Sequence, residues 1–172
     1  RQPGTRPRGQ RRLPAVTVFL AQDNARRTLA TGVTTVRDLN AGNDMDLAMR
    51  ELVASGAMIG PRILASGPGL SARQGQPPDP AAMQTLVEER VKAGVDWIKV
   101  HVTGLTPRQK GQGEVQVWSL DEMKLVCDTA HALGTPVVGH CRGAPSTRDA
   151  ALAGFDMILH ATYMDEEALA AV

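Results

Sequence analysis

Five times along this chain a helical stretch closes on a glycine, and within a few positions a short β-branched run begins. The glycines are Gly32, Gly56, Gly94, Gly134 and Gly154, each standing where the C′ position of a helix takes a left-handed backbone. The runs that follow occupy residues 33–37, 62–65, 97–100, 136–139 and 157–159. They are short, apolar on both faces and rich in Val and Ile, the pattern of parallel strands covered by helices. Strict alternation of strand and helix implies right-handed crossovers and one parallel sheet, either closed as a barrel or open and doubly wound. The helices carry signals of their own. Ser119 and Glu122 form a capping box that opens a helix with Leu120, Met123, Cys127, Ala130 and Leu133 on its inner face. Asp79-Pro80 opens another, with Met83, Leu86, Val87 and Val91 expected inward.

Composition removes several classes of function. Aromatic residues make up only 3% of the chain, too few for a base-stacking nucleic-acid platform, and no apolar run approaches the roughly 18–20 residues of a membrane helix. Two cysteines, Cys127 and Cys141, make neither a disulfide framework nor a zinc knuckle, which fits a reducing, cytoplasmic setting. The formal net charge of +1 hides an asymmetry. Five of the 19 basic residues are arginines within the first twelve positions, so the rest carries 14 basic against 18 acidic residues. Residues 1–20, rich in Arg, Pro and Gly near their start, are expected to form a disordered tail, with the folded domain at 21–172.

In either architecture the polar groups that matter lie where parallel strands end. In order these are Arg37 and Asp38, Ser66 and Gly67, Lys99 and His101, His140 with Cys141 and Arg142, and His160. Three of the four histidines stand there; His131, inside the capped helix, reads as a surface or packing residue. No glycine-rich phosphate turn follows the first strand, which favours the barrel. Lys99, His140 and His160 end three successive strands and would converge on one axial mouth. Imidazoles brought together from separate strands suit a catalytic metal. A solvated rim lysine and hydrogen-bonded rim histidines are the alternative.

These residues sit in phrases that resemble the amidohydrolase superfamily of metal-dependent hydrolases, in the branch of imidazolonepropionase-like proteins and prolidase-type dipeptidases. The phrases are RTLATGVTTVRD at 27–38, GPRILASG at 60–67, GVDWIKV at 94–100, AHALG at 130–134, VVGH at 137–140 and AGFDMILH at 153–160. Together they span roughly Asp23 to Val172. The resemblance implies a partial TIM-like (β/α) barrel holding strands 2 to 6, with one or two divalent metals. In the family an HxH pair ends strand 1, a lysine that is often carboxylated ends strand 4, histidines end strands 5 and 6, and an aspartate ends strand 8. Carried over, Lys99 is the bridging lysine, His140 the strand-5 ligand and His160 the strand-6 ligand. Zinc is the first choice, with Mn, Co or Fe also compatible with such ligands.

The departures are as specific. No HxH occurs, and Leu159 and Ala161 flank His160 where Glu and Gly are common in the family. A full barrel takes about 250 residues. The expectation is therefore a fragment of a longer enzyme, from a truncated or frame-shifted reading, that binds metal weakly and hydrolyses dipeptides no faster than its Lys99→Ala variant. The implied reaction is hydrolysis of an amide, peptide or related C–N bond in a small molecule, without nucleic acid or membrane; homo-oligomers stay open. No residue is assigned as catalytic acid or base. His101, two positions beyond Lys99 on the same strand face, is a candidate substrate contact, as are Arg142 and Tyr163 just beyond the ligand positions. Cys141 reads as packing, with no activating base beside it. A non-catalytic α/β binding protein and an inactive fragment are the competing classes.

Overall fold

Helix-terminating glycines set the rhythm of the chain: all five carry positive φ, as at Gly154, where φ 93° closes a helix and turns the backbone into the next strand. The structure, a computed structural model, describes residues 13–72, 79–104 and 115–172. Its elements are α1 (Pro14–Ala30), β1 (Thr35–Asp38), a 3-10 turn (Gly42–Asp44), α2 (Met45–Ala54), β2 (Arg62–Ala65) and β3 (Leu70–Ser71). There follow α3 (Pro80–Lys92), β4 (Ile98–His101), α4 (Leu120–Ala132), β5 (Val137–Cys141), α5 (Ala144–Ala153), β6 (Met157–His160) and α6 (Glu166–Ala171). Every strand pairing is parallel: β1 with β2, and β3-β4-β5-β6 in chain order. Parallel strands alternating with helices form an arc of a (β/α) barrel, as expected.

A repeated device at the ends of helix–strand turns knits the arc together. Asp96 N donates to Ala65 O at 2.8 Å, and Asp96 Oδ2 accepts Ala65 N at 2.8 Å. Asp156 does the same to Val137, at 3.0 and 2.7 Å. Each carboxylate also meets a base from an earlier helix, Arg50 at 2.6 Å for Asp96 and His131 at 2.9 Å for Asp156. The first clasp links β2 to β4, where no ladder hydrogen bonds are formed. His131 is thus a surface residue with a structural partner. From β1, Arg37 lies 4.3 Å over the Trp97 ring and reaches Met157 Sδ at 2.8 Å, spanning the concave side of the arc.

The main core lies between β4–β5 and α3, α4 and α5, with Met83, Val87, Ile98, Val100, Met123, Val126 and Val137 at its centre. A smaller cluster of Ala25, Met49, Met58 and Ile63 packs α1 and α2 on β2. The Ser119–Glu122 capping box forms, and Asp79 caps α3 by accepting Ala82 N. Leu86 and Leu133, expected inward, are 41% and 47% exposed. Both flank the buried stripe rather than joining it.

Residues 1–12 of the expected tail lie outside the described residues. Helix α1 starts at Pro14, with proline at its first position, and runs unbroken to Ala30, so residues 14–20 are helical. β3 is also absent from the sequence reading. After Gly67 (φ 61°) the chain turns and pairs with β4 at Leu70–Ser71, opposite Val100 and His101. Ser66 and Gly67 follow the end of β2 as expected, and Ser71 ends the added strand. Among the described residues no helix is long and apolar enough to cross a membrane.

The Asp156 clasp generates a pH dependence. Burial works to raise this carboxyl, but the Val137 N–H and His131 outweigh it and hold it below its ordinary value. A depressed carboxyl contributes stability that is present above its unfolded pKa, about 3.9, and is lost as pH falls through the folded value. Urea unfolding at pH 7, 5 and 3 should therefore show Asp156→Asn less stable than the parent at pH 7, with the gap closing towards pH 3. A gap constant across that range would count against the clasp.

Candidate metal centre

Strand parity commits each side chain to one face. Ile98 and Val100 of β4 face the helices, as do Val137 and Cys141 of β5. Lys99, His101, Val138 and His140 consequently face the concave side. Lys99 pairs in register with Val138, which is fully buried beneath it. Thr103 N and Oγ1 both donate to His140 O, at 3.0 and 3.2 Å, and Trp118 Nε1 donates to His101 O at 2.9 Å. These bonds pin both strand ends. Neither partner is signalled by sequence spacing: Thr103 follows β4 closely, and Trp118 arrives on the return from the loop after it.

β6 breaks parity. Ile158 faces the helices, and the register sets Cys141 opposite His160 and His140 opposite Leu159. An unbroken strand would point His160 away from His140. Instead His160 and Ala161 adopt positive φ, 76° and 44°, at a cost of about 1–2 kcal/mol per non-glycine residue. The ring swings round so that His160 Nε2 lies 2.9 Å from His140 Nδ1, with centroids 4.4 Å apart.

The cluster is buried at three of its members and short of partners, with His160 alone exposed. Lys99, His101 and His140 are at most 6% exposed, and the His101 ring stands 6.0 Å from that of His140. Lys99 Nζ, both His101 ring nitrogens and His140 Nε2 are buried with no hydrogen-bond partner, although native interiors normally satisfy such atoms. Burial lowers the pKa of Lys99 to about 8. It lowers His101 to about 4, helped by the Lys99 and His140 charges. His140 also falls to about 4, through burial and then the charges of His160, Lys99 and Arg142. Burial, with Arg142 and Lys99, sets His160 below its ordinary value too. At neutral pH the imidazoles of His101 and His140 are thus uncharged, with lone pairs free to donate. Cys141 is buried, its thiol pushed up to about 12, which leaves it inert as expected.

Among the described residues no set of three or more His, Cys, Asp or Glu side chains is arranged to hold a metal ion. The candidate set mixes lysine with histidine, and it suits a divalent cation. A tetrahedral ion with nitrogen ligands at about 2.0–2.1 Å holds them roughly 3.3 Å apart, close to the observed 2.9 Å pair. Of the remaining candidates, Arg142 is half-buried and Tyr163 is 57% exposed. Tyr163 N donates to Arg142 O at 2.9 Å, so the two share one stretch of rim.

A family model described as "Amidohydrolase family" matches residues 14–171. Among solved structures, a Xaa-Pro dipeptidase with methionine bound in its active site superposes with a TM-score of 0.86 at 26% identity, covering 97% of this chain and 46% of that one. An amidohydrolase superposes with a TM-score of 0.77 at 27% identity, covering 91% and 44%. An uncharacterized protein of Mycobacterium tuberculosis is 32% identical over 92 residues, 54% of this chain and 24% of that protein. The chain thus spans under half the length of these solved structures and about a quarter of that relative.

The strained turn yields its own prediction. Asn adopts positive φ readily, whereas a β-branched residue does not. His160→Asn should match or exceed the parent in denaturant midpoint, and His160→Val should lose about 1–2 kcal/mol. Equal stability of the two variants would contradict the left-handed backbone at this position.

Proposed function

The chain belongs to the amidohydrolase family, and on that premise we propose that it carries the metal-binding arc of a hydrolase acting on amide, peptide or related C–N bonds, with dipeptides the favoured substrates. The observation that carries the reading is the approach of His140 Nδ1 to His160 Nε2, 2.9 Å, beside the buried and unpartnered Lys99 Nζ. His140 and His160 would hold a divalent cation, zinc first. Lys99, with its pKa about 8, is partly the free amine at slightly alkaline pH, the form that would add CO2 and release a proton to give a carbamate able to ligate the cation. When bound, the cation supplies Lewis acidity, which polarises a scissile carbonyl and makes water a better nucleophile.

The other residues bind and orient. His101, neutral and enclosed, offers one ring N–H and one lone pair to a substrate amide. Arg142, at the rim, would pair with a substrate carboxylate, and Tyr163 beside it would close over the same group. The dipeptide preference is supported by the resemblance to a structure described as a Xaa-Pro dipeptidase.

Two measurements test it. Calorimetric titration of the chain with Zn2+ should show saturable binding that weakens at least about tenfold in His140→Ala and is untouched in His131→Ala, which lies with the Asp156 clasp. No binding by the parent would favour a non-catalytic α/β binding protein instead. In the protein that carries this segment, Arg142→Gln should raise KM for a free dipeptide about tenfold, the loss of one charge-assisted pair, while leaving a C-terminally amidated analogue unchanged. Equal effects on both would remove the carboxylate role.

A further inference from the structure

The loops that follow β1 and β2 meet beside Lys99 and His101, and the residues joining them have no part in the reading above. A Cβ built on Gly69 would stand 2.6 Å from His101 Nε2, 3.0 Å from His101 Cδ2 and 3.0 Å from Lys99 Cγ. No side chain fits there unless both neighbours move, and His101, 4% exposed, has little room to do so. The Gly69 backbone is therefore a wall of the site, against which both side chains rest.

Polar groups from the preceding loop hold that wall. Gly69 N donates to Asn40 Oδ1 at 3.0 Å, and Asn40 N donates to Ser66 Oγ at 3.0 Å. Further in, the Asp46 carboxylate accepts Ser66 N and Gly67 N, both at 2.8 Å. Asp46 is 1% exposed, a buried staple on which folding depends. Asn40 is different. It is exposed and sits at φ 116°, a backbone conformation costly for most residues. Its side-chain oxygen accepts the Gly69 N–H just ahead of the Leu70–Val100 pairing.

We propose that Asn40 is a positioning residue, which through Gly69 sets where the Lys99 and His101 side chains stand and so shapes the nitrogen cluster they form with His140 and His160. Its consequence for metal binding rests on the hydrolase reading; its geometry does not.

The experiment compares Asn40→Gly, which keeps the backbone conformation and deletes the acceptor, with Asn40→Asp, which keeps an acceptor. Three readouts are taken on the full chain: the ring nitrogen–proton correlations of His101 without metal, Co2+ affinity, and the thermal midpoint. Asn40→Gly should shift the His101 ring signals and weaken Co2+ binding about tenfold while the midpoint holds; Asn40→Asp should restore both. Parent-like His101 signals in Asn40→Gly, or equal impairment in Asn40→Asp, would overturn the proposal. If the parent takes up no Co2+, the metal reading fails by itself and the ring signals still decide the positioning claim. Should Asn40→Gly unfold, Gly69→Ala replaces it: it leaves the Asn40 bond in place and must still displace the His101 signals, and an unmoved His101 would overturn the proposal.

Discussion

Parity along a strand is the constraint from which the candidate site follows. Once parallel hydrogen bonding fixes the register, alternate residues of each strand are committed to the helix layer or to the concave face, and no side-chain preference reverses that cheaply. On β4 and β5 the apolar set Ile98, Val100, Val137 and Cys141 takes the helix side. Lys99, His101 and His140 are then forced together on the other. On β6 the same rule would exile His160. Bringing it back costs left-handed backbone at both His160 and Ala161, about 2–4 kcal/mol for the pair, a real fraction of the 5–15 kcal/mol that typically separates folded from unfolded chains. The ring contact with His140 is what that turn achieves, and strain at a functional constellation is where such an expense is usually found.

Electrostatics at the cluster pulls against burial. Lys99, His101 and His140 are enclosed with several ring and amine nitrogens unpaired. Desolvation is the first cause in each case, and it drives the groups towards their neutral forms. Mutual repulsion acts in the same direction at His101 and His140, whereas at Lys99 the neighbouring Cys141 works against burial. The neutral lone pairs of His101 and His140, unpaired and enclosed, are an unfavourable arrangement for a protein alone and a favourable one for a cation.

Much of this was legible in the sequence because it is local. A helix that ends must turn, so the glycines at 32, 56, 94, 134 and 154 announce themselves, as do the Ser119–Glu122 and Asp79 caps. From these the alternation of elements follows, and Lys99, His140 and His160 fall at strand ends. The orientation of His160 was not legible, since it depends on a backbone reversal that no neighbouring glycine signals. Leu86 and Leu133 were misread because helical spacing marks a stripe but not its width. β3 and the Asn40–Gly69 bond escaped for another reason. Each joins segments about thirty residues apart, and only the closed geometry of adjacent strands brings such pairs together.

The acids explain what kind of partner the concave face requires. Asp46 spends its carboxylate on Ser66, Gly67 and its own Leu47 N–H. Asp96 and Asp156 spend theirs on Ala65 and Val137, with Arg50 and His131 as counter-charges. Asp38 shares the helix-facing side of β1 with Val36 and lines a small cavity against α1 and α2. It is held above its ordinary pKa by burial and then by the charge of Asp46. These four acids are thus committed to holding the arc together or turned away from its concave side. What remains near the rim is Lys99, His101, His140, His160 and Arg142, a set of nitrogens with no carboxylate of its own among the described residues. Such a set can neutralise negative charge but cannot supply it. Lys99, lowered only to about 8, still carries its charge at neutral pH, and among the described residues no acid near the strands is placed to balance it.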